Sequence, residues 1–294
     1  MPKVNNNNSE LIKEYLEHIK KEKSVSEGTL KTYKNIGESL PFSLLTSQPV
    51  LIKKLKDLYS NANTLQLYLN MIILVRRYKD EDTDKLIKFR NSLRDEIIES
   101  RKKNLDELDD KLPKVDYIMN ELNNLTGIRF ILNYLIINHA LRNKDLNLQF
   151  VKTLPKDKTN NYILNKGKHI LLDINDYKTE EKYGNKQIKI TDEKFMNEFK
   201  SLNLKNDDYL LSKKDKSKIT NISTFNDKVL NLTIDKLGQN KLVKIVIRDL
   251  LNKKNFQKLE QLSMDRGTSL SVLLKSYNLH NGNGNEEKEK EKED

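Results

Sequence analysis

The sequence predicts a mainly α-helical protein of two domains: an all-helical N-terminal domain and an α+β C-terminal domain with a small antiparallel sheet. Apolar residues recur at helical spacing through residues 9–110 and again near the C-terminal end. Between these regions, three short runs rich in apolar and β-branched residues are separated by glycines, a pattern typical of hairpin strands. Helices followed by strands and then by further helices favour an α+β domain.

The N-terminal domain is expected to cover residues 9–110, because residues 1–8 are polar and predicted to be disordered. The first helix has an apolar face formed by Leu11, Ile12, Tyr15, Leu16 and Ile19. Further helices are predicted from residue 29 onward and at 50–59, 65–75 and 85–108. Pro113, flanked by lysines at 111 and 114, marks the domain boundary.

The C-terminal domain is expected to cover residues 111–278. Its apolar helical segment at 127–141 is predicted to be central, because apolar residues surround nearly the whole helix. Strands are predicted at 162–164, 169–174 and 187–191, and helices at 115–125, 192–202, 223–237, 241–250 and 256–265. Residues 279–294 are polar and of low complexity, and they are predicted to be a disordered charged tail.

The charge balance suggests a polyanionic partner. Lysine and arginine number 54 against 43 acidic residues, a net charge of +11. Part of this lysine content is typical of an AT-rich coding bias. The chain has no cysteine, which excludes disulfides and thiolate metal sites, and its four histidines are scattered, so no metal or cofactor is expected.

Membrane insertion and secretion are not expected. The sequence has no run of about 18 apolar residues. Its first residues lack the apolar core of a secretory signal. An intracellular location is therefore predicted.

Four segments of the C-terminal domain carry candidate chemistry. Arg142 lies at the end of an apolar helix, and Lys178 lies between two predicted strands, before a tyrosine–glycine pair. Arg248 falls on an apolar helix. Thr268 follows a glycine, and Tyr277 comes nine residues after Thr268.

In order and spacing this set resembles the tyrosine recombinase (integrase) family, in the branch found in large DNA viruses and crypton-type mobile elements. That family has a first arginine, a hairpin lysine, a second arginine, a glycine–histidine pair and a tyrosine nine residues after that histidine. The corresponding residues here are Arg142, Lys178, Arg248, Thr268 and Tyr277. The resemblance covers roughly residues 9–278, and the N-terminal domain is similar to the family's core-binding module.

The resemblance implies a mechanism for DNA strand cleavage and rejoining. The two arginines would bind the phosphate, Lys178 would protonate the leaving 5′ oxygen, and Tyr277 would form a 3′-phosphotyrosine without metal or ATP. It also implies a two-domain clamp on double-stranded DNA and possible homo-oligomers on DNA. DNA integration or recombination in a virus or mobile element would place the protein in a nucleus, virion or viral factory. We predict that Arg142, Lys178, Arg248 and Tyr277 converge in one basic cleft.

Two positions depart from the family pattern. The histidine that stands three residues before the second arginine is replaced by Ile245, whose neighbour is Lys244, and the later histidine is replaced by Thr268. One alternative is therefore a degenerate recombinase that binds DNA without cutting it, in an architectural or regulatory role. A second alternative is a helical protein–protein scaffold.

Further DNA contacts are predicted at several basic residues. The alternative is that these residues are ordinary surface charges. The candidates are Lys20, Lys21, Lys23, Lys31, Arg76, Arg77, Lys79, Lys182 and Lys244.

Overall fold

The chain divides into two compact units, Met1–Glu107 and Leu108–Asp294. The computed structural model describes residues 6–22, 25, 27–109, 111–156, 158–213, 215, 217–219 and 233–277. Side chains at 6, 7, 22, 101, 102, 104–109 and 275–277 lie outside this description. The sequence-based boundary at 110/111 falls three residues after the division between the units.

Helices form the described part of the first unit. They are α1 (Asn6–Glu22), α2 (Glu27–Ser39), α3 (Gln48–Leu58), α4 (Ala62–Tyr78) and α5 (Asp84–Asp109), which runs to the start of the second unit. Helix α4 is the most deeply buried, with Leu69, Met71 and Ile72 inaccessible to solvent. Nowhere in the described chain is a helix both long enough and apolar enough to span a bilayer.

Helices α1 and α2 approach each other closely at Gly37. A Cβ atom added to Gly37 would lie 1.7 Å from Cδ1 of Ile12. A larger residue would therefore have to displace the Ile12 side chain, and the glycine permits the close packing of the two helices.

The start of α1 corrects the expectation that residues 1–8 are disordered. Asn8 is buried, its Nδ2 donates to the carbonyl oxygens of Leu40 and Phe42 at 3.3 and 2.8 Å, and its Oδ1 accepts from the Leu44 amide at 3.1 Å. A run of asparagines reads as polar, but this amide satisfies the backbone of a buried turn. Residues 6–8 therefore belong to the helix, and residues 1–5 lie outside the described chain.

Arg76 was predicted to contact DNA, and this prediction is wrong. Its side chain is only 4% exposed, and its guanidinium donates to the carbonyl oxygens of Leu44, Thr46 and Asp82 and to the Glu81 carboxylate, at 2.9–3.2 Å. Helix α4 reaches solvent one residue later, at Arg77, which is exposed. Arg76 thus fixes the segment between α2 and α3 to the end of α4.

The second unit combines helices with a small sheet. Its helices are α6 (Val115–Asn124), α7 (Gly127–His139), α8 (Glu180–Tyr183), α9 (Glu193–Ser201), α10 (Gln239–Asn252), α11 (Phe256–Arg266) and α12 (Leu270–Tyr277). Its strands are β1 (Leu148–Phe150), β2 (Asn161–Asn165), β3 (Ile170–Ile174) and β4 (Lys186–Ile190). Of the helix predicted at 223–237, residues 223–232 lie outside the described chain, and Ile234–Lys236 forms a short 3₁₀ turn.

The fold class is confirmed as mainly α with a small sheet, but the sheet is mixed. Its strand order is β1-β2-β3-β4; β2, β3 and β4 pair antiparallel, as predicted, whereas β1 pairs parallel to β2. The sequence analysis missed β1 because three residues are too few to show an alternating pattern. Helix α7 is buried along most of its length and packs against α9, α10 and α11, which makes it the centre of the unit.

We predict that Arg76→Met lowers the free energy of unfolding by about 3 kcal/mol, because it leaves three carbonyl oxygens and a carboxylate without their donor. Arg77→Met is the matched control, and a surface substitution of this kind changes stability by about 0.5 kcal/mol or less. Urea unfolding of the full chain, followed by circular dichroism, measures both variants. Equal effects for the two variants would contradict a structural role for Arg76.

Candidate functional site

The candidate site begins where α7 ends. Ala140 adopts a left-handed conformation, with φ of 51°, and the chain turns sharply after it. In this turn the Arg142 amide donates to Oδ2 of Asp145 at 3.2 Å. Gln239, at the start of α10, accepts from the Asn143 amide at 3.1 Å and donates to the Leu141 carbonyl oxygen. The backbone around Arg142 is therefore held by its own turn and by α10.

Two arginines connect this turn to the end of α11. The partly exposed Arg142 donates from Nη1 to the carbonyl oxygen of Arg266. The buried Arg266 donates to the carbonyl oxygen of Ala140 at 2.6 Å and to Oδ1 of Asn240 at 3.4 Å. Each guanidinium thus binds a backbone carbonyl at the other arginine or two residues before it, which fixes the two segments side by side.

Lys186, the first residue of β4, contacts the same two segments as this arginine pair. Its Nζ donates to Oδ2 of Asp145 at 3.1 Å and to the carbonyl oxygen of Asp265 at 2.6 Å, and it lies 4.3 Å from the centre of the Tyr177 ring. The side chains of Lys186 and Asp145 are 11% and 0% exposed. Burial lowers the pKa of Lys186, and the Asp145 carboxylate opposes that change.

The segment between β3 and β4 lies against the end of α11. Tyr177 is buried and donates its hydroxyl to the carbonyl oxygen of Gly184 at 2.6 Å. The hydroxyl of Thr179 donates to the carbonyl oxygen of Gly267. Lys178, between these two anchored residues, is exposed. The loop therefore presents Lys178 beside the Gly267–Thr268 turn.

A histidine–aspartate pair, His139 and Asp265, also joins α7 to the end of α11. Nδ1 of His139 lies 2.7 Å from Oδ2 of Asp265, and Gln261 donates to the other carboxylate oxygen at 2.8 Å. Asp265 is buried, so this carboxylate is matched by two side chains and positions the end of α11 against α7.

The structure brings together only part of the predicted catalytic set. The Arg142 turn, the loop of Lys178 and Thr268 meet at the end of α11 through the contacts above. Arg248 lies eight residues after Asn240, about 12 Å further along α10. Its Nη2 donates to the carbonyl oxygen of Pro113 at 3.2 Å. The convergence of the Arg248 side chain with Arg142 stays a prediction.

The two departures from the family pattern occupy different environments. Ile245 is fully buried on α10 and belongs to the core, whereas Thr268 is partly exposed. Lys244 is partly buried, and burial lowers its pKa. Tyr277 is the last residue of α12, and its side chain lies outside the described residues. Lys182 is exposed, with its Nζ 5.4 Å from the centre of the Tyr183 ring.

The candidate DNA contacts of the first unit do not form a patch of one sign. Lys20 and Lys31 line a cleft of about 840 Å³ between α1 and α2, where four lysines alternate with four glutamates. Lys21 and Arg77 are exposed. Lys79 donates to Glu14 at 2.6 Å, and this hydrogen bond raises its pKa. Lys23 lies outside the described residues.

The cluster around Arg142 can bind an oxyanion but offers little to a metal. Its cations are Arg142, Lys186, Arg266 and the nearby Lys178, and guanidinium groups suit phosphate oxygens. The carboxylates of Asp145 and Asp265 each bind a side chain of the cluster. Within the described ranges, no three histidine, aspartate or glutamate side chains are grouped so as to hold a metal ion.

Sequence reasoning missed Lys186, Arg266 and Asp265. Lys186 stands directly before the predicted strand 187–191 and two residues after Gly184, and a charged residue at the start of a strand was a usable signal. Arg266 directly precedes Gly267 and Thr268, which belong to the recombinase-like set. Its burial could not be foreseen, because its partner Ala140 lies 126 residues away.

Comparison with protein-family models and with curated protein sequences finds no match for this chain.

We predict that Gly267→Ala destabilises the second unit by about 2–4 kcal/mol. Gly267 has φ of +64°, and a Cβ there would lie 2.4 Å from Cε2 of the buried Tyr177. Gly167→Ala is the control, because Gly167 also has positive φ but has no atom within 4 Å of an added Cβ. The control loses only about 1–2 kcal/mol, the cost of the left-handed backbone. Thermal unfolding compares the two variants, and equal losses would mean that Gly267 and Tyr177 are not in close contact.

Proposed function

We propose that this chain is a tyrosine-recombinase-like protein that binds double-stranded DNA in an architectural or regulatory role and does not cut it. One observation carries the proposal. Arg142, the Lys178 loop and Thr268 meet at the end of α11, and Ile245 and Thr268 stand where the resembling family has histidines. The site therefore keeps groups that can bind a phosphate and lacks the imidazoles that would assist a reaction with one.

Electrostatics supports a DNA partner. The chain carries a net charge of +11, which favours association with a phosphate backbone. Near the cluster, Lys178 and Lys182 are exposed and Arg142 is partly exposed. A guanidinium held by its backbone loses little conformational freedom on binding a phosphate oxygen, which favours Arg142 as the central contact.

Strand cleavage is less well supported by the same residues. Phosphoryl transfer needs charge stabilisation on the phosphate and a proton for the leaving oxygen. Ile245 and Thr268 stand where the resembling family has histidines, and neither side chain exchanges a proton near neutral pH. Arg266, the arginine linked to Arg142, is buried and donates to the Ala140 carbonyl oxygen. Arg248 donates to the Pro113 carbonyl oxygen.

Cleavage through Tyr277 remains the second candidate, because of the position of α12. This helix begins two residues after Thr268 and packs against α10 and α11. The nine-residue spacing from Thr268 to Tyr277 is the family's own.

We predict that the full chain binds duplex DNA with an affinity that falls steeply as salt rises, and that Arg142→Met lowers the log–log salt slope by about 1. Arg129→Met is the matched control: Arg129 is exposed near the opposite end of α7. Fluorescence anisotropy over a salt series measures both. Binding that does not depend on salt would refute the DNA proposal and favour a protein–protein scaffold.

A nicked suicide substrate separates the two candidate functions. We expect neither the wild-type chain nor Tyr277→Phe to give a covalent protein–DNA adduct on a denaturing gel. A wild-type adduct that disappears in Tyr277→Phe would establish strand cleavage and overturn the non-cutting role.

A further inference from the structure

We propose that Lys186 is a positioning residue of the DNA site, which acts through Arg142 and does not itself touch DNA. It holds the Arg142 turn and the end of α11 in one fixed arrangement, so that the Arg142 guanidinium faces a phosphate. This inference rests on the proposed DNA-binding function and assigns the residue on which that site depends.

The contacts of the Lys186 ammonium group show why it acts indirectly. Two N–H groups have short partners, the Asp145 carboxylate at 3.1 Å and the Asp265 carbonyl oxygen at 2.6 Å. The ring of Tyr177 covers a further side at 4.3 Å. With only 11% of its side chain exposed, Lys186 cannot reach a phosphate without breaking these contacts.

The same contacts join three segments that are far apart in the sequence. Asp145 belongs to the turn of Arg142, Asp265 comes two residues before Gly267, and Tyr177 anchors the loop of Lys178. Strand pairing places Lys186 opposite Ile174, so its backbone is fixed by the sheet. One ammonium group therefore sets the relative positions of the three segments that form the site.

Asp145 makes this arrangement sensitive to the loss of Lys186. Its carboxylate is fully buried and accepts from the Arg142 amide and from Lys186. Among the described residues, nothing donates to its other oxygen, Oδ1. Without the ammonium, a buried carboxylate would lose its counter-ion, and the turn would rearrange to reach water.

Lys189, on the same strand, provides a matched control. Its side chain is exposed, so Lys189→Met removes one positive charge from β4 without disturbing a buried contact. Any loss of DNA affinity in Lys186→Met beyond that in Lys189→Met is therefore not a long-range charge effect.

A double-mutant cycle between Lys186 and Arg142 tests the inference with the full chain and a duplex DNA at fixed salt. We expect Arg142→Met and Lys186→Met each to weaken binding by about tenfold, and the double variant to be little weaker than either. Lys189→Met combined with Arg142→Met should show additive losses. Additive losses for Lys186 and Arg142 would overturn the inference, because Lys186 would then act independently of Arg142.

One further variant guards against simple misfolding. The double variant Lys186→Met with Asp145→Asn removes both charges of the ion pair. It therefore regains the stability that Lys186→Met alone loses, but it does not regain the hydrogen bond to the Asp265 carbonyl oxygen. We expect this variant to fold, by circular dichroism, and to bind DNA as weakly as Arg142→Met. Wild-type affinity in it would overturn the inference while leaving the DNA proposal intact. Absence of DNA binding by the wild-type chain would refute both.

Discussion

The second unit depends on one buried ion pair, between the Lys186 ammonium and the Asp145 carboxylate. Removing two charges from water is costly, and their attraction offsets this cost only when hydrogen bonds complete the environment of both groups. Here the ammonium donates to the Asp265 carbonyl oxygen and contacts the Tyr177 ring, and the Arg142 amide donates to the carboxylate. The pair therefore joins the end of α7, the start of β4 and the end of α11.

The remaining polar contacts extend the same network. Arg142 and Arg266 bind across the junction of α7 and α11, and His139 binds Asp265 from the other side. The result is a hydrogen-bonded junction of α7, β4 and α11 with the exposed Lys178 beside it. In the first unit Arg76 joins two segments in the same way, by donating to backbone oxygens. This arginine, although it lies in a basic run of α4, therefore stabilises the fold.

Patterns local in sequence predicted most of the fold, whereas the site depends on contacts that are not local. The spacing of apolar residues predicted the longer helices of both units, and short runs rich in apolar and β-branched residues predicted β2, β3 and β4. The same rules missed β1, with three residues, α8, with four, and α12, with eight; β1 and α8 are too short to repeat a pattern. Arg142 and Thr268 were found from motif order. The role of Lys186 was not, since its partners Asp145 and Asp265 lie 41 and 79 residues away.

Amide hydrogen exchange, with and without duplex DNA at low salt, tests the central claim most directly. If the junction binds the phosphate backbone, DNA slows exchange in residues 141–147, in the loop 175–185 and in residues 267–269. Residues 161–165, in the interior of the sheet, should exchange at an unchanged rate. DNA binding that leaves all three of those segments unchanged would contradict the account and place the DNA-binding surface elsewhere on the chain.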